Sequence, residues 1–169
     1  MNIEHEMFSE IYAVYRDVTQ TLIRRRLTVS VMESITGGLV ASLLTDTQGS
    51  SEVFPGGFVT YSNEAKIHCG VPKEVIHTHS VYSKETAKAM ACACKDAYDT
   101  DIGIGITGTA GNTDPANPDA SVPGEVYFAI AYGEEIIARQ ITLEHQPDRR
   151  AYKLAVAQVV GDIVLSLIG

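Results

Sequence analysis

Ser34 lies in a stretch whose character changes abruptly. Val29 to Glu33 reads as a strand, Ser34-Ile35-Thr36-Gly37-Gly38 as a tight turn, and Leu39, Val40, Leu43 and Leu44 then recur at helical spacing. A serine on such a turn presents its hydroxyl at the end of a sheet, beside the unpaired N–H groups of the helix that follows. Proteins of the α/β class place reactive or anion-binding groups there. Two roles fit Ser34, nucleophile and helix N-cap, and Thr36 is open to the same capping role. Glu33 reads as a capping or ion-pairing carboxylate. Gly37 and Gly38 permit either close approach of backbone to a ligand or close packing of helix on sheet.

A nucleophilic serine needs a base, donors for the developing oxyanion and a pocket. Of the five histidines, His5, His68, His77, His79 and His145, only His68 lies near a segment with site-like composition. His77 and His79 would point to opposite faces if extended, so no metal pair is expected there. Lys66 is the other candidate base. It follows the predicted strand end at Tyr61 by one helical turn, and would reach the same sheet edge as Ser34 if the two strands are parallel neighbours. Such a lysine works only with a pKa well below about 10.4; otherwise it is a solvated helix residue. Tyr61 and Asn63 supply polar groups nearby. Thr107-Gly108-Thr109-Ala110-Gly111 offers further backbone donors at another strand end, suited to a phosphate or oxyanion, or else an ordinary glycine turn. Arg149 and Arg150 open the last helix, where they could meet a phosphate, pair with Asp148 or stay solvated.

Composition bounds what these residues can serve. With 13 basic against 21 acidic side chains and a net charge of -8, the chain lacks the positive surface of a phosphate-backbone binder, so no nucleic-acid partner is expected. The segment MNIEHEMFSEIYAVYR carries Glu4, Glu6 and Glu10 and has no apolar core flanked by positive charge, unlike a signal peptide. No apolar run is read as a membrane span of about 20 residues. Cys69, Cys92 and Cys94 are odd in number and without framework spacing, so reduced, packed thiols in a cytoplasmic protein are expected.

The elements that must position the candidates follow from periodicity. Ile3, Met7, Ile11, Val14, Val18 and Leu22 make an amphipathic helix ending at Arg24-Arg25-Arg26. After the strand and helix around Ser34, Phe58 to Tyr61 reads as a second strand, and Ser62-Asn63 caps a short helix carrying Lys66. Pro72 to Ser80 reads as a polar connection, and Ser83 caps a helix to Tyr98. Asp101 to Thr107 alternates glycine with isoleucine, which lets a helix approach one side of a strand closely. Its formal G-x-G-x-x-G, Gly103, Gly105 and Gly108, does not open a helix and is not read as a dinucleotide site. A loop to Pro123 follows, too long for a mere connector. Gly124 to Tyr132 and Ile136 to Leu143 form an antiparallel hairpin, and a helix from about Asp148 closes the chain. The expected fold is α/β, one domain over residues 1–169, with a mixed, mostly parallel sheet covered on both faces.

Five motifs in order, Glu33-Ser34-Ile35-Thr36-Gly37-Gly38, Gly49-Ser50-Ser51, Gly56-Gly57 to Tyr61-Ser62-Asn63-Glu64-Ala65-Lys66, Thr107 to Gly111 and Pro123-Gly124-Glu125-Val126-Tyr127, together resemble the CinA C-terminal domain family. The resemblance implies a three-layer α/β/α sandwich, usually a homodimer. For active members it implies nicotinamide-nucleotide amidase activity, which deamidates nicotinamide mononucleotide to nicotinate mononucleotide and ammonia without cofactor or metal. By motif, Ser34 falls on the nucleophile, Lys66 on the base, and Tyr61 on the catalytic Y-S-N-x-x-K segment. Thr36, Gly37, Gly38, Asn63, Thr107, Gly108, Thr109, Ala110, Gly111 and Arg149 fall on substrate-binding positions. Two departures stand out: Ile35 replaces the family's usual cysteine, and Asn112-Thr113-Asp114-Pro115 replaces a P-G-G-G-like run. The expectation is therefore an amidase with the oxyanion held by N–H groups near Gly37 or Gly108. The alternative is a dimeric nucleotide-binding module without turnover.

Overall fold

The computed structural model describes residues 3–169, with side chains from Phe8 onward. The first predicted stripe falls on α1 (Ile3–Arg25), where Ile11, Val18 and Leu22 are buried; the side chains of Ile3, His5 and Met7 lie outside the described residues. There follow β1 (Val29–Glu33), α2 (Leu39–Thr45), β2 (Gly57–Val59), α3 (Asn63–His68), α4 (Lys73–His79) and α5 (Lys84–Tyr98). The chain then runs through β3 (Ile102–Gly108), β4 (Glu125–Tyr132), β5 (Glu135–Thr142) and α6 (Arg149–Ile168).

The strands make one mixed sheet in the order β2-β1-β3-β4-β5. β1 pairs in parallel with β2 and β3, whereas β4 is antiparallel to both β3 and β5. Parallel and antiparallel pairings are thus equal in number, and β4 alone runs against the other four. Side-chain alternation splits the sheet between two cores. Val29, Val31, Ile102, Ile104, Ile106, Val126, Phe128 and Ile130 pack with Ile11, Tyr15 and Val18 of α1 and Val156, Val160 and Val164 of α6. On the other face, Met32 packs with Met90 and Cys94 of α5, and Ala129 and Ala131 with Ala87 and Ala91. The result is three layers.

The glycines of β3 set the spacing of the second core. A Cβ on Gly105 would stand 2.3 Å from the Ala87 carbonyl oxygen, and one on Gly103 would stand 2.1 Å from that of Ala91. Glycine and alanine therefore meet where strand and helix backbones touch, and the G-x-G spacing serves packing.

Three elements depart from the sequence expectation. Within Pro72 to Ser80, Lys73–His79 is a helix, α4, because Ile76 packs against the cluster of Met32, Val71, Met90 and Cys94; two apolar residues, Val75 and Ile76, give too little periodicity to announce it. β2 stops at Val59 rather than Tyr61, being a three-residue edge strand whose last ladder contact is the Thr60 N–H on the Glu33 carbonyl at 2.8 Å. Finally, α6 is long and apolar enough to cross a membrane by length and composition, although half of it is buried against this protein's own core.

The close approach of β3 to α5 gives a direct check. Gly105→Ala should lower the unfolding free energy by about 2 kcal/mol or more, since backbone atoms rather than flexible side-chain ends must move. Urea denaturation measures this, and an unchanged midpoint would show that α5 retreats at no cost.

Candidate active site

The turn after β1 is built by one buried carboxylate and two glycines. Gly37 and Gly38 take φ of 58° and 97°, a left-handed pair that glycine adopts without penalty. Glu33, fully buried, folds back over this turn and accepts hydrogen bonds from the N–H groups of Gly38 (3.0 Å), Val40 (3.1 Å) and Ala41 (2.8 Å). The capping role therefore belongs to Glu33, and its negative charge occupies the positive end of α2. Ser34 is left free of capping. Its N–H donates to the Ile106 carbonyl at 3.0 Å, which pins the serine to the end of β3.

Lys66 reaches Ser34 from the neighbouring strand connection. Ser62 caps α3, its hydroxyl accepting from the Ala65 N–H at 3.0 Å, and this aims the Lys66 side chain back under the turn. Its Nζ donates to the Thr60 carbonyl at 2.8 Å and to Ser34 Oγ at 3.0 Å. The side chain is only 2% exposed. Burial lowers its pKa to about 8, against an opposing pull from the Asp114 carboxylate. A neutral Lys66 would keep its bond to Thr60 and offer its lone pair to the Ser34 hydroxyl proton.

Two lobes of a cleft, about 240 and 300 Å³, meet at Ser34 and share Tyr61, Tyr82 and Asp114. Together they have the size of a small-molecule site. Gly108, Thr109, Ala110 and Arg149 line the first lobe; Asn63, Lys66 and Thr107 line the second. Thr107 and Thr109 donate their hydroxyl protons to the carbonyls of Val81 and Val122, and the Thr109 N–H donates to Glu125, so they hold loops and have no hydroxyl proton left for a ligand. Tyr61 is 65% exposed, lines both lobes with Ser34, and its hydroxyl accepts from Arg149 Nη2 at 2.8 Å. Thr36, Gly37, Gly38 and Gly111 do not line the cleft. Thr36 is buried, Gly37 lies beside Lys153, Gly38 beside Val59, and Gly111 against the Tyr152 ring. His68 ends α3 in solvent, apart from the site.

The N–H groups of Gly37 and Gly38 are already taken, by the Ser34 carbonyl and by Glu33. Among the described residues, the Ile35 and Thr36 N–H groups are the ones in the turn with no intramolecular acceptor. Of the two, Ile35 lines the cleft, so its N–H is the turn donor open to an oxyanion at Ser34. Sequence reasoning missed Tyr82, Asp114 and the Thr60 carbonyl. An aspartate in an unusually long loop was the one available signal. Elsewhere, a depression of about 940 Å³ between α1 and the loop after α2 includes Phe8, Tyr12 and Arg16; Ser9, Asp46 and Thr47 also line it, with no hydrogen bond between their side chains.

Comparison with known proteins decides the family. The model of the CinA C-terminal domain matches residues 12–168. The chain belongs to the CinA C-terminal domain family. A CinA-like protein of Myxococcus xanthus is 46% identical over 124 residues, covering 73% of this chain and 28% of the relative. One from Chlorobium chlorochromatii is 37% identical over 143 residues, covering 83% and 33%. The chain thus spans a third or less of the length of these relatives. Among solved structures, the competence/damage inducible protein CihA of Agrobacterium tumefaciens superposes with a TM-score of 0.84 at 28% identity, covering 94% of this chain and 95% of that one. A competence or damage-inducible protein from Enterobacter asburiae gives 0.87 at 24% identity, covering 94% and 98%, a likeness of fold.

The cap on α2 is testable by itself. Glu33→Ala leaves three backbone donors without their acceptor and should lower the unfolding free energy by roughly 2–4 kcal/mol. Chemical denaturation would read this loss, and a variant as stable as wild type would show that another group caps α2.

Proposed function

We propose that this CinA-family domain is a nicotinamide-nucleotide amidase that works through Ser34 and Lys66, acting in the cytoplasm as a homodimer. The observation that carries the chemistry is the 3.0 Å contact between a buried Lys66 Nζ and Ser34 Oγ at the floor of a cleft. The substrate and the dimer rest on the family resemblance.

The reaction uses these groups in order. Neutral Lys66 takes the Ser34 proton as Oγ attacks the carboxamide carbon, and the N–H of Ile35, which lines the cleft, receives the oxyanion. Collapse of the tetrahedral intermediate breaks the carbon–nitrogen bond, with Lys66 returning the proton to the departing ammonia. Water then attacks the acyl-enzyme, giving a proton to Lys66, which restores it to Ser34 as nicotinate mononucleotide leaves. The 5′-phosphate falls to Arg149 and the N–H groups of Gly108 and Ala110, since the Thr109 N–H and the adjacent threonine hydroxyl protons are committed. The altered 112–123 loop supports one other reading, a module that binds the nucleotide without turning it over.

Ser34→Ala and Lys66→Ala should each reduce ammonia release from nicotinamide mononucleotide by at least about 10³-fold while leaving a folded protein. Near wild-type turnover in either variant removes the pair from the mechanism. Wild-type protein that binds the nucleotide in a thermal-shift assay but releases no ammonia supports the silent module.

The pH profile follows from the same pair. The base works unprotonated, and its pKa lies at about 8, so kcat/KM should rise with pH through that value and level above it. A rate that falls across this interval would mean that the ammonium form is the active one.

A further inference from the structure

The irregular loop between β3 and β4 brings one charged side chain to the cleft that holds the serine and lysine. Asp114 is half-buried and lines both lobes beside Ser34. Its Oδ2 accepts from the Tyr82 hydroxyl and from Asn117 Nδ2 at 2.7 Å, its Oδ1 from the Ala116 N–H at 2.9 Å, and its own N–H donates to Ser121 Oγ at 2.9 Å. The Tyr82 and Asn117 bonds hold its carboxyl below the usual carboxylate range. It is therefore an anion wherever Lys66 can act as a base. Its fixing donors are neutral, and among the described residues no lysine or arginine stands within ion-pairing distance of it.

An anion here opposes the chemistry at Ser34. It favours the ammonium form of Lys66, the form that cannot take a proton. The other titratable or charged groups on the cleft are Glu64 on α3, Tyr61 before it, Tyr82 before α5 and Arg149 on α6. Arg149 donates to Tyr61 at the mouth, so the lobe under the loop holds two carboxylates, Asp114 and Glu64, against the single charge of Lys66. Such a balance suits a substrate that brings its own positive charge.

We propose that Asp114 makes the cleft selective for amides borne on a permanently cationic ring, receiving the ring's positive charge while the amide carbon meets Ser34. This rests on the nicotinamide-nucleotide reading and names the feature of that substrate the cleft detects, its quaternary ring nitrogen. In the complex the ring cation offsets Asp114 and pushes Lys66 toward its neutral form. Substrate binding thereby reverses the handicap that Asp114 imposes on the empty site.

Reduced nicotinamide mononucleotide keeps the carboxamide, ribose and phosphate but has a neutral ring. Titration calorimetry in a Ser34→Ala background compares the two nucleotides without turnover. The oxidised form should bind at least about tenfold more tightly, and adding Asp114→Asn should abolish most of that ratio by weakening the oxidised form alone. Asp114→Ser repeats the comparison with a shorter neutral side chain. Tyr82→Phe loosens the loop but keeps the charge, so it should preserve the ratio. With Ser34 present, Asp114→Asn should raise KM for the oxidised nucleotide and move the kcat/KM rise to lower pH, because Lys66 loses a neighbouring anion. Equal affinity for both nucleotides, or a ratio that survives both substitutions at Asp114, overturns the proposal. Cation preference without ammonia release defeats the amidase reading and leaves this inference standing; ammonia release without cation preference does the reverse.

Discussion

The site depends on enclosing one primary amine with no acid in contact with it. Lys66 Nζ meets a carbonyl and a hydroxyl, and among the described residues the one ion pair is the remote Arg16–Asp17 contact. The magnitude matters here. A solvated lysine with a pKa of about 10.4 is neutral at pH 7 in roughly one molecule in 2,500, whereas one at about 8 is neutral in roughly one in ten. A carboxylate touching Nζ would cancel that gain, because opposite charge at contact favours the ammonium. Burial with neutral acceptors is what brings the neutral form of this lysine within reach near pH 7.

Sheet register places that amine. The Thr60 N–H extends the parallel β1–β2 ladder by one bond beyond Val59, to the Glu33 carbonyl, so Thr60 and Ser34 leave adjacent strands side by side. Lys66 needs only the length of its own side chain to bridge them. Gly57 keeps the strands close: opposite Val31, a Cβ there would come within 2.6 Å of the valine methyl and 2.8 Å of its carbonyl oxygen. On the other side, the Ser34 N–H on Ile106 fixes the turn to β3, and β3 is held by the glycine–alanine contact with α5. The geometry of the Ser34–Lys66 pair is thus a consequence of backbone pairing across three strands, with Glu33 preventing the turn from relaxing.

Much of this was legible because it follows from periodicity. The isoleucine–glycine alternation announced both the strand and the close helix, and the serine after a strand with a lysine one turn past the next strand suggested a meeting point. The role of Ser34 could not be settled that way, since whether it caps α2 depends on how far Glu33 reaches, and a carboxylate's reach leaves no trace in spacing. Thr107 and Thr109 looked like ligand donors for a similar reason: the carbonyls that consume their hydroxyls, on Val81 and Val122, come from segments distant in sequence. Tyr82 and Asp114 form a pair 32 residues apart, one before a helix and one in an irregular loop, so neither periodicity nor local motif could join them. The helix α4 was missed because its order comes from tertiary packing of Ile76, which local pattern does not encode.

The cleft must reconcile two opposed requirements. A neutral lysine needs an environment poor in charge, whereas the proposed phosphorylated, cationic substrate would need charge to be recognised. The structure separates them in depth. Lys66 lies at the floor with neutral partners, Arg149 and Tyr61 stand at the mouth, and Asp114 hangs between on a loop tied by Tyr82, Asn117 and Ser121. Coulomb energy falls with distance and with exposure to water, so a guanidinium at the solvated rim can attract a phosphate with little effect on the buried amine. Asp114 is nearer and less solvated, and it does raise the lysine's pKa. On the proposed reading, that cost to the free protein becomes a gain only when a positive group fills the space between, so the loop carrying the carboxylate would couple recognition of a cationic ring to the neutral form of Lys66.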